Sequence, residues 1–529
     1  RGIKEQNCLD LVKRGFFWRD DVPCEEPFGH RTILNVTDDE FNNGLWQWLV
    51  NHECYKSCFG LLEDDRFEIA SILRTAKPNE RLSEFPDFIF RKGFIEHFQI
   101  TSSKTTRKGA EHKKDEQAFK SAVQKEQEEV RKQWEHDTML ENHLQIDLNK
   151  MQHNLRQVRA AIGPDCKLLF VLKADAYGHG TPVCAKYSEE LVDWYAVATI
   201  DEALSIRRAG VEKPILLFGA LQDPEIELAA DNRITINSCS LEYSRHVAEV
   251  LQRCGKRMDC HIKIDTGMNR TGLFARVGRT DGAVRQAEEI FALEPLHVTG
   301  IYTHFSCADS ADPEDVAFTQ RQYEAFAAVA EALQEKGYDV GLRHCTSTCP
   351  FLCHPEWKLD MIRVGMLGFG QSMDEAWAAK MDLRRIMRWC AKVVSVLDLE
   401  PGESVSYGRI YKTTGHEKIA VISAGYADGY NRSYSNRARI IISDHIVPQC
   451  AKVCMDYTMA NVTGLDVKPG DDAILLGQSE TCEVTPDSLS ADTEYGVNGW
   501  TTCQITARVP RIYVYNGQVV VPTRRGADV

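Results

Sequence analysis

Lys173 stands directly behind an apolar run in FVLKADAYGHG (170–180), with Tyr177 four residues further on. An ammonium closing what reads as a buried strand is costly unless it is paired or loses its charge. Downstream, HIKIDTGMNR (261–270) carries Lys263, Asp265 and Arg270, GIYTHF (300–305) ends through Thr303 and His304, and RVGMLGFG (363–370) begins on Arg363. Singly, Lys173 reads as a snorkelling strand-end lysine, Arg363 as half of a structural ion pair and His304 as a satisfied core imidazole. Their shared position, each at the end of an apolar run, reads as one site. A lysine held among cations has its pKa lowered, which frees the amine to attack a carbonyl.

These residues need a scaffold that gathers strand ends. The runs at 167–173, 194–199, 214–219, 234–238, 260–265, 299–305, 341–346 and 361–366 read as eight strands with amphipathic helical stretches between most of them. That alternation predicts an α/β fold, a (β/α)8 barrel of about 250 residues whose active site lies on the C-terminal face of the strands. Lysine, arginine and histidine then share that face. The amine chemistry suits pyridoxal 5'-phosphate, which proteins bind as a lysine Schiff base. The HCTST (344–348) and GMLGFG (365–370) turns follow the last two strands, the usual phosphate position in such barrels.

The barrel is expected over 140–380, followed by a mostly-β domain over 381–529, where β-branched runs are cut by Gly, Asn and Asp. Residues 104–139 are rich in Lys, Glu and Gln and free of proline, and read as a charged helical linker. Residues 1–103 form an α+β accessory domain of unassigned role.

A formal net charge of -14 argues against a nucleic-acid partner. Eighteen cysteines show no CxxC pair and no zinc spacing, so no metal is expected, and a reducing, cytoplasmic compartment is. Cys345, Cys349 and Cys353, four residues apart, read as small buried or half-buried thiols rather than a metal site. No apolar run reaches the ~20 residues of a membrane span, and no secretory leader is read at the front.

LLFVLKADAYGHG resembles the signature of fold-type III alanine racemases. HIKIDTGMNRTG (261–272), GIYTHFSCAD (300–309), RHCTSTCPFL (343–352), RVGMLGFG (363–370), VSYGRIYK (405–412), GYADGYNR (425–432), VCMDYTM (453–459) and ARVPRIY (507–513) are similar to that family's other motifs, in its order. The resemblance implies a pyridoxal-phosphate isomerase that interconverts L- and D-alanine and supplies D-alanine for peptidoglycan. Lys173 would carry the cofactor and act as one base. Tyr407, from the β domain of a second subunit, would be the base on the opposite face, which implies a homodimer. Arg363 would face the pyridine nitrogen, with His304 linked to it. Arg270 would reach the cofactor phenolate and the substrate carboxylate, supported by Lys263, a position carbamylated in some members. Tyr177, Thr348, Gly365 and Met366 would line the phosphate cup. Met455 and Asp456 would arrive from the partner at the substrate entrance.

Three departures stand out. Ala507 replaces a tyrosine that several members carry before RVPR, which makes serine, or a broader range of amino acids, the alternative substrate. Ser347–Thr348 replaces an Asn-Ser pair, and Phe369 replaces an aromatic that bears a hydroxyl. A basic-amino-acid decarboxylase shares the barrel-plus-β plan, but VSYGR and CMDYTM favour a racemase. Near the front, Asp87 and Glu96 in SEFPDFIFRKGFIEHFQ resemble the acidic pair of PD-(D/E)xK nucleases, whose carboxylates hold Mg²⁺. The lysine expected two residues after Glu96 is absent; His97–Phe98–Gln99 stands there and Lys104 lies beyond, so a small accessory fold is the expected reading.

Overall fold

The computed structural model describes residues 142–371, 381–491 and 501–523, and the backbone of three short segments nearer the front. Contacts divide the chain into two units, Arg1–Thr138 and Met139–Val529. In the first, the described residues form the strands Lys77–Pro78, Phe88–Phe90 and Gly93–Ile95, paired antiparallel in that order. Asp87, Glu96, Gln99, Lys104 and the segment 104–139 lie outside the described residues.

The second unit is built on eight parallel strands: Lys167–Val171, Trp194–Val197, Ile215–Leu217, Ile234–Ser238, Met258–Asp265, Leu296–Tyr302, Leu342–His344 and Met361–Val364. They pair in chain order, and the eighth lies back against the first. Between the seventh and eighth, Asp360 N–H donates to Arg343 O and Arg363 N–H to Thr346 O, each at 3.2 Å, so the barrel is nearly closed. Strands covered on both faces read as unbroken apolar runs. Ile215–Leu217 is such a run, and Ile234–Ser238 is buried at every position although it carries Thr235, Asn237 and Ser238. The first and sixth strands stop short of the polar residues at their expected ends, Lys173 and Thr303–His304. Thr303 N–H still donates to His344 O at 3.3 Å, while Lys173 and His304 sit just beyond, at the barrel mouth.

Between the strands, the helices begin and end on local signals. Ser240 caps Leu241–Cys254 by accepting from Tyr243 N–H, and Gly255 ends that helix at a left-handed φ of 67°. Thr199 and Glu202 form a capping box for Ile200–Arg208. Among the described residues, no helix is long and apolar enough to cross a membrane.

The C-terminal part is a ten-stranded sheet centred on the long strand Met387–Leu399. One member comes from the front of the unit. Asn142–Asp147 pairs antiparallel with Met387–Leu399 and parallel with Arg511–Tyr515. The expected barrel range of 140–380 therefore gives its first strand to the β domain. Its burial alternates between covered and half-exposed positions, the pattern of a strand packed on one face only.

The two parts meet at the loop that follows Lys173. A Cβ on Gly178 would lie 2.2 Å from Thr502 O, and one on Gly180 would lie 1.8 Å from Tyr513 Oη. Arg511, fully buried, donates to Gly178 O at 3.3 Å and to Ile505 O, Thr506 O and Val509 O. The ARVPRIY motif thus clamps the lysine loop onto the β domain.

Candidate active site

Lys173 opens a short turn, Lys173–Gly178, whose handedness is inverted. Ala174, Asp175, Ala176 and Tyr177 all take φ between 53 and 55°. Left-handed turns of L-residues cost about 1–2 kcal/mol per residue, so this one must be held from outside. Asp175 N–H donates to Glu202 Oε1 at 3.2 Å, and Asp175 Oδ1 accepts from Thr181 N–H at 3.0 Å. Thr181 Oγ1 donates to Leu172 O at 2.9 Å. Held this way, Lys173 and Tyr177 both face one cavity of about 590 Å³ at the C-terminal mouth of the barrel, a volume suited to a cofactor-sized molecule.

Of the residues singled out by sequence, Lys173, Tyr177, Lys263, Arg270, His304, Thr348, Arg363, Gly365 and Met366 line that cavity. Tyr407, Met455 and Asp456 do not. Tyr407 and Met455 are exposed on the β domain, at 66 % and 52 %, and Asp456 is paired with Arg508 at 2.9 Å. Ala507 is exposed and stands off the cavity wall.

The electrostatics of the cavity are cationic. Burial lowers the pKa of Lys173, and the Arg270 guanidinium lowers it further. Lys263 is brought down to about 8, by burial first and then by Arg270. Its Nζ donates to Thr271 Oγ1 at 2.9 Å. Asp265 holds the backbone of the loop that carries Arg270: its carboxylate accepts from the backbone N–H groups of Gly267, Asn269 and Arg270 at 2.9–3.1 Å.

Arg363 is buried, and burial brings its pKa down to about 10. Its Nη1 donates to His344 Nδ1 and His344 O, both at 3.0 Å. Its Nη2 donates to Thr303 O at 2.9 Å, His304 Nδ1 at 3.2 Å and Cys345 O at 3.3 Å. Nε is the donor that remains for the cavity. Because a guanidinium only donates, Nδ1 of His304 and Nδ1 of His344 must accept, which makes both rings neutral with the proton on Nε2. His344 Nε2 can then donate to His261 Nδ1 at 2.9 Å. All three histidines are held below the usual imidazole range, chiefly by burial and then by Arg363.

Several contributors were not singled out from sequence. The ring of Tyr302 lies parallel to His344 at 4.9 Å, and its hydroxyl donates to Asn237 Oδ1 at 2.9 Å. Lys263 and Arg363 lie 5.9 and 5.5 Å from the centre of that ring. Glu202, His261 and His344 complete the support. A signal existed for Asn237 and His261, polar side chains beside the isoleucines of ITINS and CHIKID, but a buried polar residue has many structural explanations.

At one end of the cavity, Tyr177, Thr348 and Gly365–Met366 converge. A Cβ on Gly365 would lie 2.7 Å from Tyr177 Oη, so glycine leaves the room this cradle needs. Burial pushes the Tyr177 phenol up, and it stays a hydrogen-bond donor. Phe369 packs behind Tyr177 and stacks on His179 at 4.4 Å. A lysine with a depressed pKa, a hydroxyl-lined cradle at a helix start and an unpaired arginine N–H between them match pyridoxal 5'-phosphate in its aldehyde, phosphate and ring nitrogen. The residues present fit that group.

Residues 146–373 match the family model described as alanine racemase, N-terminal domain, and residues 386–513 match alanine racemase, C-terminal domain. Alanine racemase 2 of Caldanaerobacter subterraneus subsp. tengcongensis is 33% identical over 387 residues, covering 72% of this chain and 97% of the relative. The alanine racemase of Methanococcus maripaludis is 33% identical over 375 residues, 70% of this chain and 98% of the relative. Among solved structures, alanine racemase of Clostridium difficile 630 superposes with a TM-score of 0.67 at 30% identity, over 73% of this chain and 99% of that one.

Proposed function

This chain belongs to the alanine racemase family, and we propose on that premise that it interconverts L- and D-alanine, a source of D-alanine for peptidoglycan, with pyridoxal 5'-phosphate held at Lys173. The observation that carries the reading is the pairing, in one cavity, of a lysine with a lowered pKa and a buried arginine whose remaining donor is Nε.

The bound cofactor supplies an electron sink for negative charge on the substrate α-carbon. The chain supplies the proton carriers and their orientation. Lys173 Nζ takes or returns the α-proton on one face. Its lowered pKa keeps a larger neutral fraction near neutrality than an ordinary lysine has. Arg270 orients the substrate carboxylate, and Asp265 holds the backbone of the loop that carries Arg270. Arg363 donates from Nε and cannot give up its proton, so the group it meets is hydrogen-bonded without being protonated. Tyr177, Thr348 and the amides of Gly365–Met366 would hold the phosphate.

Inverting a centre takes a second base on the opposite face, and we assign it to Tyr407 of a second copy of the chain. When one base takes the proton, the electron pair stays on carbon. The other base then returns a proton from the far side, and no net proton is consumed. Tyr407 shares its surface with exposed Ile410, Tyr426, Met455 and Tyr457, an apolar patch of the kind that marks an interface. A two-fold homodimer that covers this patch would bring Tyr407, Met455 and Asp456 to the partner's cavity.

The test is direct. The protein is loaded with pyridoxal 5'-phosphate and incubated with L-alanine, L-serine or L-lysine, and the D-enantiomer is measured by chiral chromatography. D-Alanine, lost in Lys173→Ala, is the expected result. D-Serine at a higher kcat/KM would shift the substrate, and carbon dioxide release from lysine without D-product would overturn the reading.

A further inference from the structure

The residue before Tyr407 is bent into a conformation that side chains avoid. Ser406 takes φ 60° and ψ -169°, a region kept essentially for glycine. Two glycine-like positions follow it, Gly408 at φ 72° and Arg409 at φ 52°. Such backbone persists only where surroundings impose it, and here they do. Ser406 Oγ donates to Lys452 O at 2.8 Å and lies 3.2 Å from Cys454 Sγ. On one side Val405 is buried in a small core with Ile419, Cys450, Ala451 and Met459. Across the hairpin from it, Tyr411 donates to Glu417 Oε2 at 2.6 Å. Asn436 Nδ2 holds Ile410 O at 3.2 Å. Tyr407, in the middle, is exposed. The frame is pinned at both ends, and the phenol it carries points outward.

We propose that Ser406 is a positioning residue for Tyr407: the hydroxyl anchored on Lys452 O holds the backbone in the glycine region and so sets the direction of the phenol. This rests on Tyr407 being the second base. A serine with only a structural role would be improved by glycine, which adopts this φ freely. A serine that aims Tyr407 would not be, because glycine removes the anchor and lets the loop wander.

Ser406→Gly and Ser406→Ala are therefore compared with wild type and Tyr407→Phe, all loaded with cofactor. Ser406→Gly should melt at or above the wild-type temperature. Both variants should lose roughly ten- to hundredfold in kcat, with KM changed by no more than about twofold, as a misplaced base does. The primary deuterium isotope effect should rise for the α-deuterated enantiomer whose proton goes to Tyr407 and stay unchanged for the other. In the Tyr407→Phe background, neither substitution should cost more activity. Wild-type kcat in Ser406→Gly, an equal isotope effect from both enantiomers, or a further loss on top of Tyr407→Phe would each overturn the inference. Full activity in Tyr407→Phe would instead sink the reading underneath it. If Ser406→Ala does not fold, Ser406→Gly still decides.

Discussion

The loop that bears Lys173 and the loop that bears Tyr407 are both forced into positive φ, yet they are built in opposite directions. The first is turned inward. Its residues hydrogen-bond to Glu202, Thr181 and Arg511, and its lysine is half-buried among cations that lower its pKa. The second is turned outward, with its phenol in solvent and its anchors below it. On the proposed mechanism, one half of the chemistry is finished within its own chain. The other half is only presented, for a second copy to meet.

The largest effect should come from testing that division of labour. Lys173→Ala and Tyr407→Phe should each lose at least roughly a thousandfold in racemisation. Mixing the two variants after unfolding and refolding should restore roughly a quarter of wild-type activity, because each hybrid dimer holds one intact site. No recovery, with hybrids confirmed by mass spectrometry, would place both bases in one chain.

A smaller effect sharpens the inward half. In Gly178→Ala, a Cβ would meet Thr502 O at 2.2 Å at a residue with φ 86°. Urea unfolding should report a loss of about 3 kcal/mol. An unchanged midpoint would mean that the lysine loop does not depend on the β domain.

The pH dependence of stability probes the same side. Lys263 is lowered from 10.5 to about 8 in the folded chain, so the fold disfavours its charged form. That penalty is fully present below about pH 8 and fades as pH rises from 8 to 10.5, where the unfolded chain also releases its proton. Stability should therefore rise across that window by about 2 kcal/mol, after discounting for partial solvent access, and Lys263→Met should flatten the rise. If Lys263 is carbamylated, wild type will already be flat there.

The smallest effect concerns the phosphate cradle. Gly365→Ala places a Cβ 2.7 Å from Tyr177 Oη. Cofactor affinity, read by absorbance titration, should weaken about tenfold, with the melting temperature unchanged.

Much of this was legible in the sequence, for physical reasons that differ by region. All eight barrel strands could be read because strands covered on both faces are largely apolar, as in ILL and KLLFV. Their ends could not, because the residue types before Lys173 and His304 do not mark where the ladder stops. Asn142–Asp147 was misplaced because it precedes the barrel in sequence while pairing with strands far along the chain, and a register with Met387 is not a local property. Lys173, Arg270 and Arg363 were visible as charges at apolar edges. Tyr302 and His344 were not singled out, since an aromatic or histidine inside a strand reads as core. The conformation of Ser406 left no mark, because nothing in VSYGR distinguishes a serine at positive φ from an ordinary one.

The inverted turn after Lys173 has a consequence for the order of assembly. Glu202 and Thr181 brace it from within the barrel, whereas Arg511, which holds Gly178 O, stands 333 positions further along the chain. Pairing of the barrel strands alone therefore fixes only part of the loop, and the rest is set once the β domain has closed against it.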